Sequence, residues 1–237
     1  MQRYFAQDKQ DNNLILYPQD IHHIKKVMRM QLHDQIEVIF DKTTYLCEIT
    51  DLLNFNLTIL KTQEEDNELP LDITIAIGLV KEQKLDLILQ KLTELGIKKI
   101  IPLKLERSIV KVDNSKLDKK QERWKTICKE ASEQSHRNII PEVTKPMTIP
   151  ELLKENYDYK YVCSTKEENN LLVNSFQNIN KCAKIIFVIG PEGGISYKEE
   201  ELLNNNNYQS ISLGKRILRV ETAAIYIASI LNYCSMR

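Results

Sequence analysis

The stretch KIIFVIGPEGGIS, from Lys184 to Ser196, joins a short apolar run to a loop that contains three glycines. The run from Ile185 to Ile189 is too short for most helices and rich in β-branched residues, so it predicts a strand buried on both faces. The glycines that follow, Gly190, Gly193 and Gly194, tolerate positive φ and let a ligand approach bare backbone. The pattern therefore predicts a binding loop at the carboxyl end of a buried strand.

A second loop of the same kind follows along the chain. Ser196 and Glu199 match a capping box, which predicts that the first loop runs into a helix. Gln209 to Leu213 then predicts a strand, Gly214 a turn, and the apolar residues from about Val220 another helix. Two glycine loops thus end two neighbouring strands, and we expect both at one edge of a sheet.

The two loops match neither of the common nucleotide-binding motifs. A phosphate-binding loop requires GxxxxGK[ST], and dinucleotide binding requires GxGxxG after an early strand. Neither motif occurs in the sequence. For a single pair of glycines an ordinary strand-to-helix turn is the simpler interpretation. Two long glycine-containing stretches, one after the other along the chain, favour a binding site instead.

Upstream of these loops, strands alternate with helices, which predicts an α/β domain. LDITIAIGL has the period of a strand, Lys84 to Gly96 carries an apolar helical stripe that ends at a glycine, and IKKIIPL predicts the next strand. This order predicts a parallel unit with a right-handed crossover. Further helices are predicted from about Lys116 to Gln134 and from Glu167 to Phe176.

The first quarter of the chain has a different character. QIEVIF, TTYLCEIT and FNLTIL are short β patterns with tight connections, which predict a small β-barrel. The acidic segment from Gln63 to Pro70 predicts a linker. We therefore expect one domain at residues 1–69 and a second at residues 70–237.

Composition is that of an ordinary soluble protein, 42% hydrophobic and 28% charged. The five cysteines form no CxxC pair and no histidine spacing suits zinc, so we expect reduced thiols, no metal and a cytoplasmic location. No run has the roughly eighteen apolar residues that span a bilayer, so no membrane contact is expected. The net charge is zero, but residues 98–145 hold 13 basic and 7 acidic residues. This excess predicts either a phosphate-binding patch or a solvated helix face.

GPEGGIS and LGKRILRVETAA together resemble the C-terminal signature of the ribosomal RNA small subunit methyltransferase E family, the 16S rRNA uridine-N3 methyltransferases of the SPOUT superfamily. RYF, LVKEQKLDLILQKLTELGIKKIIPL, ERSIVK and EASEQSHR are similar to its other signatures, so the resemblance covers nearly the whole chain. It implies an N-terminal PUA-like RNA-binding β-barrel and a C-terminal SPOUT α/β domain with a deep trefoil knot. It also implies S-adenosyl-L-methionine as cofactor, a homodimer, and 16S rRNA or the assembled small ribosomal subunit as partner.

By position, the resemblance implies cofactor contacts in both glycine loops. The residues concerned are Gly190, Glu192, Gly193, Gly194, Leu213, Gly214, Ile217 and Leu218. The apolar members of this set suit a purine, which binds between flat apolar walls with a few backbone hydrogen bonds. RNA contacts are implied at Arg3, Tyr4, Arg29, Arg107 and Gln134. Tyr4 has the alternative of a place in the core.

Methylation at uracil N3 requires a nitrogen that is protonated at neutral pH to lose its proton. We predict that Arg219 or Arg137 stabilises the resulting anion, and that Glu221 orients the base or takes the proton. The structural alternative for Glu221 is a favourable charge in the first turn of a helix, with Arg219 as its salt-bridge partner. Two other functions stay open: a SPOUT enzyme with another acceptor, such as a ribose 2′-hydroxyl or guanine N1, and a non-catalytic RNA-binding ribosome-assembly protein.

Overall fold

The computed structural model describes residues 1–111, 114–172, 180 and 182–235. It divides the chain into two compact units, residues 1–68 with 132–139 and residues 69–131 with 140–237. The first unit contains β1 (Arg3–Gln10), β2 (Asn13–Leu16), α1 (Pro18–His22), β3 (Gln35–Phe40), β4 (Thr43–Asp51) and β5 (Asn56–Gln63). The second contains β6 (Asp72–Gly78), α2 (Glu82–Glu94), β7 (Lys99–Leu103), most of α3 (Leu117–Gln134), β8 (Glu142–Val143), α4 (Ile149–Leu152), β9 (Tyr159–Cys163), β10 (Lys184–Ile189), α5 (Tyr197–Asn204), β11 (Gln209–Ile211) and α6 (Val220–Ser235).

The first unit is a curled five-stranded sheet, a half-barrel, with the strand order β2-β1-β3-β4-β5. β1 pairs with β3 in parallel, and the other neighbours pair antiparallel. The edge strands approach each other, because the amide of Leu57 in β5 donates a 3.4 Å hydrogen bond to Oδ1 of Asn13 in β2. The strands predicted from QIEVIF, TTYLCEIT and FNLTIL are confirmed as β3, β4 and β5.

Residues 132–139 complete the first unit through a buried polar cluster. The carboxylate of Glu68 accepts hydrogen bonds from Nε and Nη2 of Arg137, at 3.2 and 2.6 Å, and from the amides of Asn138 and Ile139, at 3.0 and 3.2 Å. Nδ2 of Asn138 donates to Oγ1 of Thr44 at 3.1 Å. Arg137, Asn138 and Thr44 are buried. Because buried polar groups need partners, these bonds fix the segment within the unit.

The second unit is built on six parallel strands in the order β11-β9-β10-β6-β7-β8. β10 lies between β9 and β6. Its side chains alternate between two cores: Ile185 and Phe187 face one, and Ile186 and Val188 face the other. The prediction of a strand buried on both faces is therefore confirmed.

Helices cover both faces of this sheet. α2, α3 and α6 pack on the same face as Phe187, with Leu89, Trp124 and Ile227 in the shared core. α4 and α5 cover the other face, where Leu203 is fully buried. The α/β class is thereby confirmed. Within the described part of the chain, no helix has the length and apolarity needed to cross a membrane.

The helix predicted from Glu167 to Phe176 is wrong over residues 167–171. Residues 167–171 form a loop, in which Leu171 makes a single parallel bridge to Ser212, and residues 173–176 lie outside the described residues. Oε1 of Glu167 accepts hydrogen bonds from the amides of Asn169 and Asn170, at 2.8 and 2.9 Å. Such bonds between a side chain and nearby backbone compete with helix formation, which the periodicity of the sequence does not reveal.

We expect Glu68→Gln to destabilise the first unit by about 3 kcal/mol, because it removes the charge that pairs with the buried guanidinium of Arg137. Chemical denaturation followed by circular dichroism measures the free energy of unfolding. Glu64→Gln, at an exposed position of the same segment, is the matched control and should change it by less than about 0.5 kcal/mol. Equal stability of the two variants would contradict a structural role for this ion pair.

Candidate functional site

A cavity of about 950 Å³ opens at the carboxyl ends of β9, β10 and β11 in the second unit. Three loops line it: residues 163–169 after β9, residues 189–195 after β10, and residues 212–220 at the end of β11. Its volume is in the range of pockets that bury a cofactor-sized molecule. The carboxyl edge of a parallel sheet is also where α/β proteins bind their ligands.

The loop after β10 is held in shape by close backbone packing. A Cβ on Gly190 would lie 2.9 Å from the amide nitrogen of Ile195, and a Cβ on Gly193 would lie 3.0 Å from Cβ of Arg107. Gly194 has φ of +72°, and no heavy atom lies within 4 Å of where its Cβ would be. Close packing thus leaves no room for a side chain at Gly190 or Gly193. Gly194 is instead favoured by its positive φ, and its backbone borders open space.

The loop at the end of β11 supplies apolar side chains and one more glycine with positive φ. Gly214 has φ of +106° with open space around its missing Cβ. Leu213 and Leu218 are half-buried, whereas Ile217 is 85% exposed. All eight residues predicted to contact the cofactor line this one cavity. The structure therefore brings both glycine loops to one edge, but the prediction that their strands are neighbours is wrong, because β9 lies between β10 and β11. Contact with a cofactor stays a prediction.

The loop after β9 is a part of the site that sequence reasoning missed. Nζ of Lys166 lies 2.7 Å from Oε2 of Glu200 in α5 and 3.5 Å from the centre of the Tyr197 ring. These contacts hold the loop against the helix that follows the first glycine loop. The strand before the loop was predicted, and the polar run STKEEN directly after it was the available signal.

A thiol also borders the cavity. Cys163 is the last residue of β9 and lines the cavity wall. Burial raises its pKa to about 12. The group is therefore a neutral thiol at physiological pH and lacks the thiolate that nucleophilic catalysis needs.

Cationic side chains surround the cavity mouth. Arg219, predicted to be catalytic, and Arg107, predicted to contact RNA, both line the cavity and are exposed. Nη1 of Arg107 donates a hydrogen bond of 3.2 Å to the carbonyl of Gly193. The amide of the preceding residue, Glu106, donates to Oε1 of Glu199 at 2.7 Å, which ties this segment to the start of α5. Together with Arg216, which also lines the cavity and is exposed, three guanidinium groups are therefore available to a negatively charged substrate.

Glu221, also predicted to be catalytic, lies in the first turn of α6 and is not among the residues that line the cavity. Its Oε2 is 3.9 Å from Nζ of Lys84, which is also 2.9 Å from Oε1 of Glu192. The structure thus pairs Glu221 with Lys84, whereas the sequence suggested Arg219 as its partner. Burial alone would raise the pKa of Glu192, but the hydrogen bond from Lys84 and the charges of Lys84 and Lys81 outweigh it and lower that pKa.

The remaining predicted site residues lie in the first unit. Arg3 is buried and bonded to Glu37, to Glu65 and to the carbonyl of His136, at 2.8, 2.7 and 2.8 Å. Arg3, which was predicted as an RNA contact, thus takes part in a buried hydrogen-bond network that stabilises the first unit. Arg137, predicted as catalytic, is likewise buried, in the cluster around Glu68.

Tyr4, predicted as an RNA contact, occupies the core position that was its alternative. It is buried, and its hydroxyl lies 3.0 Å from Nδ1 of His23. Burial, with the nearby charges of Glu133 and Asp20, raises its pKa to about 12. Of the RNA contacts predicted in this unit, Arg29 and Gln134 are exposed. Among the described residues, no cluster of His, Cys, Asp and Glu side chains could hold a metal ion.

Comparison with known proteins places this architecture in a defined class. A family model described as the RNA methyltransferase domain matches residues 67–232. A second, described as the RNA methyltransferase PUA domain, matches residues 16–60. The chain therefore carries matches to a PUA domain and to an RNA methyltransferase domain, the two kinds of domain that the family resemblance implies.

The relatives define the family more closely. The ribosomal RNA small subunit methyltransferase E of Bacillus subtilis (strain 168) is 36% identical over 247 aligned positions, which cover 98% of this chain and 96% of that protein. The protein of the same name from Aquifex aeolicus (strain VF5) is 31% identical, with coverage of 98% and 99%. The chain belongs to the ribosomal RNA small subunit methyltransferase E family, which confirms the resemblance seen in the sequence.

Solved structures agree with this membership. A putative methyltransferase from Legionella pneumophila, described as a complex with the bound cofactor SAM, has a TM-score of 0.89 at 30% identity, covering 98% of this chain and 96% of that one. The ribosomal RNA small subunit methyltransferase E from Neisseria gonorrhoeae, described as bound to S-adenosyl methionine, has a TM-score of 0.87 at 29% identity, covering 98% and 97%.

Proposed function

We propose that this protein is an S-adenosylmethionine-dependent methyltransferase that modifies N3 of a specific uridine in 16S rRNA of the small ribosomal subunit. The observation that carries the proposal is the convergence of two glycine loops on one cavity at the carboxyl edge of the parallel sheet. Membership of the family supports rRNA as the substrate class. The uridine and its N3 atom are the finer part of the proposal and follow from the family resemblance.

The residues around the cavity fit this cofactor. Gly194 and Gly214 leave bare backbone beside open space, which suits contact of backbone amides and carbonyls with the methionine end and with the adenine, respectively. Leu213 and Leu218 supply apolar wall. Ile217 is 85% exposed, and covering such a side chain with a ligand is favourable by up to about 2 kcal/mol.

The bound cofactor would supply an activated methyl group on a sulfonium, so the protein must orient the acceptor and stabilise its negative charge. Arg219 is the residue that we assign to this second task, because its guanidinium is exposed within the cavity lining. Arg137, the alternative predicted from sequence, is buried and bound to Glu68. Glu221 faces Lys84, so we assign it a positioning role through that lysine.

The RNA would approach through exposed cations. In the first unit, Lys26 and Arg29 are exposed beside Val27 and Leu53, which are 61% and 88% exposed. Leu53 belongs to the same surface, because its carbonyl accepts a 3.3 Å hydrogen bond from Nζ of Lys25. Ammonium and guanidinium groups next to exposed apolar side chains suit the phosphates and unstacked bases of single-stranded RNA.

We also propose the deep trefoil knot of the SPOUT superfamily for the C-terminal segment, on the basis of the family resemblance. The same resemblance supports a homodimer through α6, where Tyr226 and Tyr233 remain 43% and 59% exposed on an otherwise apolar helix. Light scattering should then give twice the chain mass of 27.7 kDa. A monomer at micromolar concentration would contradict the dimer and leave the assignment of the cavity unchanged.

We expect Arg219→Ala to lower the rate of methylation about a hundredfold, because one group that stabilises the developing anion is removed. The assay uses small ribosomal subunits from a strain without this gene, and mass spectrometry of nucleosides identifies the methylated atom. Lys198→Ala removes an exposed cation of α5 outside the cavity lining and should retain full activity. Full activity of Arg219→Ala would refute the role of Arg219. A methyl group on another atom would change the acceptor, and no product from the unaltered protein would favour the non-catalytic alternative.

We expect the double variant Lys26→Ala/Arg29→Ala to weaken binding of small-subunit rRNA and to reduce the slope of log K against log[salt] by about 1.4, which is about 0.7 for each phosphate that is no longer neutralised. Filter binding over a range of salt concentrations measures both. Lys61→Ala, at an exposed position of β5, is the control and should leave the slope unchanged. An unchanged slope for the double variant would place the RNA elsewhere.

A further inference from the structure

Lys84 connects two segments that flank the cavity. It lies in the first turn of α2, outside the cavity lining, and its Nζ is 2.9 Å from Oε1 of Glu192 and 3.9 Å from Oε2 of Glu221. Glu192 belongs to the loop after β10, and Glu221 lies in the first turn of α6, directly after the loop that ends β11. One ammonium group therefore faces a carboxylate from each of the two glycine-loop segments.

The environment of Glu221 makes this contact important. Its side chain is 16% exposed, and its Oε2 is buried with no hydrogen-bond partner in the described part of the chain. A buried carboxylate oxygen needs a compensating positive charge. The ammonium of Lys84, at 3.9 Å, supplies that charge over a distance longer than a hydrogen bond.

Two carboxylates around one cation also depend on each other. Without Lys84, Glu192 and Glu221 would face the same space with like charges, and like charges in a partly buried site repel. Relief of that repulsion would move one loop away from the other. Because both carboxylates are joined to segments that line the cavity, the loops would no longer keep their spacing.

We propose that Lys84 is a positioning residue of the cavity, which ties the loop after β10 to the first turn of α6 and thereby sets the distance between the two glycine loops. The role of the cavity as the cofactor site rests on the proposed function, whereas the tie between the loops does not. An ordinary exposed ion pair contributes little to stability and sets no geometry. A test of the proposal must therefore distinguish a positioning role of Lys84 from that of an ordinary surface ion pair.

The chain offers a matched control in the same unit. Nζ of Lys99 lies 3.0 Å from Oε2 of Glu155 and 3.7 Å from Oε2 of Glu142, so it too faces two carboxylates. None of these three residues lines the cavity. Lys84→Met and Lys99→Met thus each remove an ammonium group that faces two carboxylates. Only the carboxylates near Lys84 belong to segments that flank the cavity.

Hydrogen–deuterium exchange of the full chain without cofactor measures the tie directly. We expect Lys84→Met to speed exchange of the amides of residues 192–196 and 214–222 about fivefold, and Lys99→Met to leave them unchanged. Lys84→Arg, which keeps the charge and can reach both carboxylates, should restore slow exchange. Adding Glu192→Gln to Lys84→Met should also slow exchange, because it removes one of the two repelling charges.

Calorimetry with S-adenosylmethionine gives the second readout. Lys84→Met should weaken binding about tenfold, and Lys99→Met should not. Unchanged exchange in Lys84→Met, or an equal change in Lys99→Met, would overturn the proposal. If exchange responds as expected but the unaltered protein binds no S-adenosylmethionine, the proposed function fails and the positioning role stands. If Lys84→Met does not fold, Lys84→Gln takes its place in both measurements.

Discussion

The parallel pairing of β10 with β6 is the constraint on which the site depends. The two strands run in register from Lys184 opposite Asp72 to Ile189 opposite Ile77, and side chains on both faces are buried. The two chains also pack closely at the carboxyl ends of these strands, where a Cβ on Gly78 would lie 2.5 Å from the ring of Pro191. The glycine loop therefore starts from a fixed point, and its direction is set by backbone packing rather than by a ligand.

The loops at the ends of β9 and β11 complete the cavity around this fixed loop. β9 and β11 end at the same edge, so three loops meet there, and polar contacts hold the loops after β9 and β10 and the segment that carries Arg107. Lys166 binds Glu200, Glu199 binds the backbone before Arg107, and Lys84 binds Glu192. When backbone groups form most of a binding site, they cannot adjust by a change of rotamer. The loops that carry them must therefore be held in position by contacts such as these.

The sequence predicted the features that depend on local pattern. The apolar run and glycines of Lys184 to Ser196, and the capping box of the next helix, follow from residue types alone, and all are present in the structure. The loop after β9 was missed, because its shape depends on hydrogen bonds from Glu167 and on contacts with a helix about thirty residues later. The pairing of Arg137 with Glu68 was also not predicted, because sequence cannot show that the segment after α3 belongs to the first unit.

Residues 132–139 belong to the first unit although residues 69–131 lie in the second, and this order has a consequence for synthesis on the ribosome. Thr44 is fully buried and bonds to Asn138, and Glu68 receives donors only from residues 137–139 among the hydrogen bonds that the described residues make with its side chain. The N-terminal half-barrel therefore lacks the polar part of its interior until about seventy more residues have been translated, several seconds later at about 5–20 residues per second. The polar cluster around Glu68 thus closes only after residues 137–139 leave the exit tunnel, whereas the apolar core of this unit comes from residues 4–59 and is translated first.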